Sequence, residues 1–465
     1  MQNLIKKNVI SLSCVLFLTA CQSTKVWHPP QYQVPIIQAD QHYKYSTLNW
    51  KQTKNLKIHS NAWWEIYHDS TLNQLMQQLN LENLDLKQAE ARYLQAAALL
   101  NQQYAQRSAK LTVEGGVNRQ ASKQSSAKNQ WSTGIQASWI PDLWGRVAKA
   151  IEGQNANLAA SQADLDAVRL NQQLLATEAY WNIRILDAQL AVLRQTQKSY
   201  SRSVEILNNQ YLAGMIARAD VIQAETQRKQ VDIQQIEIQR DRDLQENILA
   251  VLQGKTVSQF QLARQQQTFQ IPVLPIQIPS RLLIQRPDVR RAERELAATH
   301  AELGLAQTAW LPDLSIGING SVNAQTLSQL FQAPQYLWST GLQATSMIFD
   351  GGKRKAEIEL AQARYAEKTA NYKQTVLTGW KEVEDALLQS ASFRQQQNEQ
   401  GRLFELAREN EQVVTRRYQA GMVSYLEVVT AQNLRLQAEQ ATLELKQRQL
   451  NNTAQLIAAS GGQIN

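Results

Sequence analysis

Residues Trp131–Ser138 read Trp-Ser-Thr-Gly-Ile-Gln-Ala-Ser, and residues Trp338–Thr345 repeat them as Trp-Ser-Thr-Gly-Leu-Gln-Ala-Thr. The two stretches lie 207 positions apart. The same spacing relates further pairs: Tyr211 and Tyr418, Gly214 and Gly421, Gly254 and Gly461. Upstream of the stretch the spacing is 203, as between Asp85 and Asp288. Because a fixed spacing between similar segments indicates a duplicated unit, we interpret the chain as one unit present twice, with a loop four residues longer in the second copy.

Both copies of the stretch alternate between apolar and polar residues. In the first copy the apolar side consists of Trp131, Thr133, Ile135, Ala137 and Trp139. The segments just upstream, Leu111–Val117 and Leu314–Ile318, alternate in the same way. A period of two predicts β-strands, and a length of about ten residues suits a tilted transmembrane strand. Each half therefore predicts a hairpin, at about 109–140 and 312–347; a soluble β-sandwich is the alternative.

The chain begins with a segment typical of exported proteins. Lys6 and Lys7 precede an apolar run from Val9 to Leu18, and Ala20 follows two residues later. This order of charge, apolar run and small residue predicts a secretory signal peptide over residues 1–20. The run is too short to cross a bilayer as a helix.

Cys21 follows the predicted signal directly. The segment resembles the lipobox of bacterial lipoproteins, in which the cysteine is acylated and becomes the first mature residue. By that resemblance Gln22, which is not aspartate, directs the product to the outer membrane. An ordinary cleaved signal with an incidental cysteine is the alternative. Cys14 lies within the removed segment, so Cys21 is the only cysteine of the mature chain and no internal disulfide is expected.

The composition indicates a chain with much wetted surface. Only 43% of the 465 residues are hydrophobic, and the mean hydropathy is −0.43. The net charge of +8 is modest for this length. The basic residues are scattered among acidic ones rather than clustered with aromatics, which argues against nucleic acid as a partner.

Two long helical patterns follow the hairpins. In the second half the apolar positions recur every three or four residues: Ile358, Ala361, Tyr365, Thr369, Tyr372, Val376, Trp380, Val383 and Leu387. The first half carries a similar pattern from Val147 to about Tyr211. This period predicts helices of roughly 65 residues, which would be about 100 Å long. No ordinary globular core has that length.

Both long patterns end at a related turn, Tyr211–Met215 and Tyr418–Met422. Gly214 and Gly421 stand where the C-terminus of a helix favours a left-handed residue. Two returning helices are predicted after these turns, to about Leu252 and Ala459.

Asp220 and Ser424 are the predicted N-caps of the returning helices. The complete organisation is then a signal peptide at 1–20, an extended leader at 21–62, a first repeat at 63–259, a linker at 260–280 and a second repeat at 281–465.

The number of strands bears on the oligomeric state. Four strands cannot close a barrel, and a membrane tolerates no open sheet edge. Two copies would supply eight strands, whose interior is filled by side chains, whereas three would supply twelve and leave a channel. The pattern therefore predicts an α+β membrane protein in which a trimer is favoured, with a dimer and a tetramer as the weaker alternatives. Polar strand faces would line the channel, and the long helices would continue it as a tube.

A further motif joins these features to a known family. Arg286–Glu293 reads Arg-Pro-Asp-Val-Arg-Arg-Ala-Glu, and Trp310–Pro312 reads Trp-Leu-Pro. Together with the duplicated hairpins, the paired helices and the lipobox-like start, these residues make the mature chain similar to the TolC-like outer-membrane efflux proteins, in their lipoprotein branch. The resemblance implies a trimeric twelve-stranded β-barrel in the outer membrane and a long α-helical barrel in the periplasm. It also implies two partners, a periplasmic adaptor (membrane fusion protein) and an inner-membrane pump of the resistance-nodulation-division type.

The same resemblance implies where the working residues lie. The adaptor would contact the helix tips at Gly214, Met215, Gly421 and Met422. The periplasmic gate would be formed by Arg416, Arg417, Tyr418, Leu426, Glu427, Thr430 and Asp220. Relatives often carry an acidic residue at the position of Thr430, so here Glu427 or Asp220 would supply the negative charge. Arg416 and Arg417 would pair with such acids across protomers and hold the tip closed. Alternatively, Tyr418 and Leu426 only pack neighbouring helices.

No feature of the sequence favours an enzyme. Gly254-Lys255-Thr256 ends like a phosphate-binding loop, but the glycine needed five positions earlier is Leu249. The five histidines are scattered, with no His-x-x-x-His pair for zinc, and no cofactor is expected beyond a lipid on Cys21. The predicted function is a passive, gated duct that exports drugs or other small solutes and contributes to multidrug resistance. A duct for secreted proteins and a membrane-anchored helical structural lipoprotein are the alternatives.

Overall fold

A computed structural model of the chain describes residues 32–35, 44, 62–122, 125–265, 269–272, 286–331 and 336–462. The predicted signal peptide, Cys21, most of the leader and part of the linker lie outside these residues. Within them the helices are α1 Ser70–Glu82, α2 Leu84–Ala105, α3 Arg146–Leu212, α4 Arg218–Leu252, α5 Pro287–Gln307, α6 Lys353–Gln419 and α7 Tyr425–Ala459. The strands are β1 Lys110–Ser122, β2 Ser125–Trp139, β3 Asp313–Ala324 and β4 Tyr336–Thr345. Across these ranges, none of the helices combines the length and the apolar character needed to cross a membrane.

The internal repeat appears in the bounds of the helices. α3 and α6 each contain 67 residues, and α4 and α7 each contain 35. α6 and α7 begin and end 207 positions after α3 and α4. Gly145 and Gly352 stand directly before the two long helices with φ of 70° and 93°, a region that glycine adopts without strain. The duplication predicted from the sequence is confirmed, and so are the two long helices.

The chain divides into two compact units. The first comprises Met1–Pro35, Asn101–Gln154 and Ala297–Glu367, and it contains all four strands. They form a single antiparallel sheet in the order β1-β2-β3-β4. The two hairpins are those that the alternating patterns predict. β2 also pairs with β3, which joins the hairpins of the two repeats into one sheet.

The pairing gives the sheet two chemically different faces. One row across all four strands contains Thr112, Gln136, Asn319 and Ser339, and it lies on the polar face. The opposite face carries exposed apolar side chains: Leu111, Val113, Val117, Ile135, Ile318, Trp338 and Leu342. Leu337 is an exception, since it lies opposite Ser321 on the polar face. A β-sandwich would cover the apolar face with a second sheet, but the described strands form only one.

Side chains of the first unit fix the corner where β2 gives way to α3. The Asp142 carboxylate accepts the backbone N–H groups of Val147 and Ala148 at 3.0 and 2.8 Å, which satisfies donors in the first turn of α3. The Arg146 guanidinium donates to the carbonyls of Thr308 and Leu311, each at 2.7 Å, just before β3 begins. The start of the long helix of repeat one is thereby tied to the start of a strand of repeat two.

The second unit comprises Ile36–Leu100, Asn155–Leu296 and Lys368–Asn465, and it holds the main hydrophobic core. Trp63 and Trp181 are among its largest buried side chains. The Tyr67 hydroxyl donates to the Leu450 carbonyl at 3.1 Å, so the segment that opens the first repeat is bonded to the last helix of the second. The burial of Tyr67 raises the pKa of its phenol.

The helical region that precedes the first hairpin, α1 and α2, is interrupted once. Asn83 separates α1 from α2, with an extended backbone at φ −62° and ψ 126°. Its side-chain oxygen accepts the N–H of Leu86 at 3.0 Å, and its amide group donates to the Leu252 carbonyl at 2.9 Å. One asparagine thus caps the second helix and bonds to the end of α4.

A buried ionic network in the second unit holds the residues that follow α4. The Arg242 guanidinium donates to the Asp187 carboxylate at 2.9 Å and to the Leu262 carbonyl at 2.6 Å. It also pairs with Glu246, whose carboxylate accepts the Leu262 N–H. Arg242 and Asp187 are both buried. The beginning of the linker is therefore fixed to α3 and α4 by charge-assisted bonds.

The Arg286–Glu293 motif has a structural role in the second unit. The Arg286 guanidinium is buried and donates to Asp288 at 3.0 and 2.8 Å, to Glu382 at 2.7 Å and to the Ala459 carbonyl at 3.0 Å. These bonds join the start of α5 to α6 and to the end of α7. Burial opposes the charge of Arg286, yet the two carboxylates outweigh it and raise the pKa of the guanidinium.

Gly379 leaves the space in which the Arg286 guanidinium lies. A Cβ at this position would lie 2.9 Å from Arg286 Nε, which is closer than real contacts allow. We expect Gly379→Ala to lower the free energy of unfolding by about 1–3 kcal/mol, as overpacked sites do. The matched control is Gly401→Ala on the same helix, where nothing lies within 4 Å and alanine should be neutral or slightly stabilising. Denaturant unfolding of both variants measures the difference; equal midpoints would contradict the assignment of Gly379.

Candidate functional site at the helix tips

Each long helix ends in the same hydrogen-bonded turn. In the first repeat the Gly214 N–H donates to the Tyr211 carbonyl and the Met215 N–H to the Gln210 carbonyl, both at 2.9 Å. This pair of bonds is the Schellman motif, which needs a left-handed residue after the helix. Gly214 supplies it with a φ of 72°.

The second tip repeats this geometry. The Gly421 N–H donates to the Tyr418 carbonyl and the Met422 N–H to the Arg417 carbonyl, again at 2.9 Å, and Gly421 has a φ of 73°. The left-handed glycines predicted from the sequence are confirmed. Met215 and Met422 stand at the two turns with 73% and 71% of their surface exposed. Both tips therefore present a flexible apolar side chain to the surroundings.

A small hydrophobic core joins the two tips. Its buried members are Leu207, Val221, Ala224, Tyr425, Val428 and Val429, and partly buried Tyr211 and Tyr418 pack against it. The Tyr418 and Tyr425 rings meet edge to face, with centroids 5.6 Å apart. At the equivalent place in the first repeat, Arg218 lies 5.8 Å from the centre of the Tyr211 ring. Each tip is thus stabilised by an aromatic contact between its two helices. In the second repeat two rings meet, whereas in the first a cation lies near a ring.

The gate residues proposed from the resemblance divide into two groups. Tyr418 is partly buried in the tip core. Leu426, Glu427 and Thr430 are exposed in the first turns of α7, with Leu426 at 54%. Leu426 and Thr430 share one side of the helix, where the Thr430 hydroxyl donates to the Leu426 carbonyl at 2.8 Å. Within one chain, Tyr418 packs against the tip core, whereas the Leu426 side chain is exposed and available to contact another surface.

Asp220 and Glu427 occupy equivalent positions in the two repeats, 207 residues apart. Asp220 is half-buried and close enough to Tyr418 and Tyr425 for its charge to act on both phenols. Burial is the main reason that the pKa of each tyrosine is raised, and the negative charge of Asp220 raises it further. The structure therefore brings Asp220 together with Tyr418, which the sequence did not pair.

The predicted N-caps of the returning helices are not formed as expected. α4 begins at Arg218 with Ala217 at the N-cap, so the prediction that Asp220 caps it is wrong. The chain enters the helix earlier because the Ala217 carbonyl already accepts the Asp220 N–H at 3.2 Å. Ser424 does occupy the N-cap of α7, but its side chain makes no cap bond. Asp220 and Glu427 instead lie in the first turns, where a negative charge favours the helix dipole.

Arg416 and Arg417 lie in the last turn of α6, and both side chains are exposed. Neither forms an ion pair with an acidic residue in the part of the chain that the structure describes. A cation in the last turn is favoured by the helix dipole. The arginines are thus held in place by the helix and remain available for a neighbouring copy.

Sequence reasoning did not single out Tyr425, Val428 or Val221 as tip residues. A signal was present, because Val221 and Val428 are identical residues at the repeat spacing, as are Ala224 and Ala431. Positions that persist in both copies beside a shared turn are candidates for a contact between the copies. In the described ranges, no group of three or more His, Cys, Asp or Glu side chains is placed to hold a metal ion.

Comparisons with known proteins fit this arrangement of paired tips and a two-faced sheet. The sequence model of the family described as "Outer membrane efflux protein" matches residues 75–255 and 278–462. The chain belongs to this family. The two matched ranges follow the two repeats, and together they cover most of the chain. The chain is accordingly an outer-membrane efflux protein and acts as the channel component of an efflux system.

Individual relatives cover nearly the whole chain. The "Cation efflux system protein CusC" of Escherichia coli O6:H1 is 28% identical over 458 residues, which are 97% of each chain. The "Pyoverdine export outer membrane protein OpmQ" of Pseudomonas aeruginosa is 27% identical over 480 residues, covering 98% of this chain and 97% of OpmQ. A solved structure of CusC superimposes with a TM-score of 0.84 at 26% identity, covering 93% of this chain and 99% of the other. The fold is that of the trimeric outer-membrane efflux channels, confirming the expected fold class.

Proposed function

We propose that three copies of this chain form a gated duct that receives small solutes from an inner-membrane pump and a periplasmic adaptor and releases them outside the cell. The observation that carries the proposal is the sheet, which has one apolar and one polar face and two unpaired edges. Three such sheets would close into a twelve-stranded barrel with the apolar face toward lipid and the polar face toward water. The four-residue polar row that contains Gln136 and Asn319 would then line the lumen.

The periplasmic end would be closed by the helix tips. Leu426 is exposed in one chain, and in a ring of three it would fill the axis with apolar side chains. Arg416 and Arg417 would pair with Glu427 or Asp220 of the neighbouring protomer and hold the ring shut. Thr430 would contribute no charge, since it is neutral and its hydroxyl is bonded to its own helix. The exposed turns at Gly214, Met215, Gly421 and Met422 would be the adaptor's contact surface.

The tip core provides a test of the gate. Tyr425→Ala should remove the buried ring that packs on Tyr418 and loosen the tip, so single-channel conductance should rise several-fold. Tyr425→Phe keeps the ring and serves as the control, with conductance near that of the unmodified chain. Arg417→Glu should also raise conductance if the arginine holds the ring shut. Unchanged conductance in both Tyr425→Ala and Arg417→Glu would exclude a gate at these residues.

A lipid on Cys21 would anchor the chain in the outer membrane. The lipobox-like residues before Cys21 support this proposal, and so does a relative named "Probable outer membrane lipoprotein SilC", which is 26% identical over 473 residues. Labelling with radioactive palmitate should mark the unmodified chain and leave Cys21→Ser unlabelled. Equal labelling of both would contradict acylation at Cys21.

The transported solute would be chosen by the pump. Relatives of similar identity carry names that refer to cations, to pyoverdine and to antibiotics. A duct without a built binding site would serve each of them. The chain would therefore act in transport without catalysing a reaction. Expression with its adaptor and pump, in cells that lack their own channel, should lower the accumulation of a fluorescent substrate of that pump. Accumulation that is unaffected by the chain would contradict the proposal.

A further inference from the structure

The sheet leaves two strands with unpaired edges. Among the described residues β1 pairs only with β2, and β4 pairs only with β3, so each offers a row of free backbone groups on its other side. An unpaired edge is unfavourable where no water can satisfy it. The proposed trimer requires β4 of one copy to pair with β1 of the next. The internal repeat specifies in which register they do so.

The two hairpins have the same register once the repeat spacings are applied. In the first hairpin Val113 lies opposite Ile135. Adding 203 to the first position and 207 to the second gives Ile316 and Leu342, which are opposite each other in the second hairpin. The same relation holds for Leu111 with Ala137 and for Leu314 with Ala344. Equivalent residues of the two repeats therefore face each other in both hairpins, position by position.

The contact between β2 and β3 shows how a first repeat meets a second one. Trp131 lies opposite Ala324, and Ile135 lies opposite Gly320. The contact between copies is of the same kind, because β4 ends the hairpin of the second repeat and β1 begins the hairpin of the first repeat in the next copy. We infer that β4 pairs with β1 of the neighbouring copy in the equivalent register, which places Trp338 opposite Ala121 and Leu342 opposite Val117. The inference rests on the proposed trimer and adds the register by which its copies join.

Two observations support this register. The first is that it puts apolar positions opposite apolar positions: Leu342 and Val117 both belong to the apolar face. A shift by one residue would bring the apolar face of one copy against the polar face of the next.

The second observation concerns the tryptophans. Trp131 packs against Val322, Ala324 and Leu330 within the chain, whereas its counterpart Trp338 is 81% exposed. The register gives Trp338 an alanine partner, Ala121, just as Trp131 has Ala324. Shifts by two residues would keep the faces matched but would place Trp338 opposite Arg119 or past the bulge that lies between Gln120 and Ser122.

Paired cysteines in the full-length chain test the register. Leu342→Cys with Val117→Cys, and Gln343→Cys with Gly116→Cys, each place two thiols opposite each other between copies. The two pairs lie on opposite faces of the ladder, so one of them occupies the more closely spaced type of site. Leu342→Cys combined with Gly115→Cys or with Arg119→Cys provides the controls, shifted by two residues. Mild oxidation followed by denaturing electrophoresis should convert the monomer band to covalent trimer in at least one matched pair and in neither control.

The outcomes separate the register from the trimer. Stronger cross-linking in a shifted control than in both matched pairs would overturn the register and leave the trimeric duct standing. A trimer on native electrophoresis with no cross-link at either matched pair would also overturn it, because opposed thiols at one of these sites meet disulfide geometry. A monomer on native electrophoresis with no cross-link in any variant would contradict the proposed trimer itself.

Discussion

Replacing Leu342 by arginine is expected to destabilise the membrane-inserted chain by about 2–4 kcal/mol per protomer, the cost of a charged side chain near the middle of the lipid face. Leu342 lies on the apolar face of the sheet and is 69% exposed in the part of the chain that the structure describes. Because three copies carry the change, the cost to the trimer would be about three times as large. Ile135→Arg, on the same face and 54% exposed, should act in the same way. Heat-resistance of the trimer in mild detergent measures the loss.

Gln136→Arg is the matched control for both variants. Gln136 follows Ile135 in the same strand but belongs to the polar row between Thr112 and Asn319. An arginine there would face water in the lumen, so trimer stability should change little while the ion selectivity of the channel shifts toward anions. If Gln136→Arg destabilised the trimer as much as Ile135→Arg, the assignment of the two faces would be wrong.

Replacing Arg242 by methionine is expected to lower the free energy of unfolding by about 3–5 kcal/mol, because it leaves the carboxylate of a buried ion pair uncompensated. Asp187 and Glu246 are 4% and 13% exposed at their side chains. Arg184 would remain near Asp187, at 3.6 Å, and would compensate part of the charge. The Leu262 carbonyl would also lose its hydrogen bond from Arg242, so the start of the linker would be less firmly fixed. Chemical denaturation of the solubilised protein, with proteolysis of the linker as a second reading, measures both effects.

Arg240→Met provides the control for Arg242. Arg240 lies two residues earlier on the same helix, and its side chain is 63% exposed beside Asp241. An exposed pair of this kind contributes little, so the change should stay within about 1 kcal/mol. Similar losses from Arg240→Met and Arg242→Met would show that the buried network does not stabilise the fold.

Much of the fold follows from patterns that the chain carries twice. The alternation around Ile135 and Leu342 predicts the hairpins because a strand repeats every two residues, and the 3.6-residue period predicts α3 and α6 in the same way. Glycine at 214 and 421 marks the ends of those helices, since few other residues accept a positive φ. Local chemistry is sufficient for each of these features.

Other features depend on contacts between distant residues, which no local pattern specifies. The role of Arg286 requires Glu382 and the Ala459 carbonyl, which are about 100 and 170 positions away in the sequence. The buried Arg242 looks like any charged helical residue until Leu262 folds back on it. At the tips, Asp220 is the predicted N-cap of α4, but the backbone begins the helix three residues earlier, with Ala217 at the N-cap. The aromatic contact of Tyr418 with Tyr425 was missed because the returning helix had to be placed first.

The central claim is that three copies form a channel closed at the helix tips. Single-channel recording of the purified protein in planar bilayers, beside its oligomeric mass in the same detergent, tests it most directly. We expect a trimer with a small, fluctuating conductance that becomes larger and steadier in Tyr425→Ala and remains small in Tyr425→Phe. A monomer that inserts without conducting would contradict the claim.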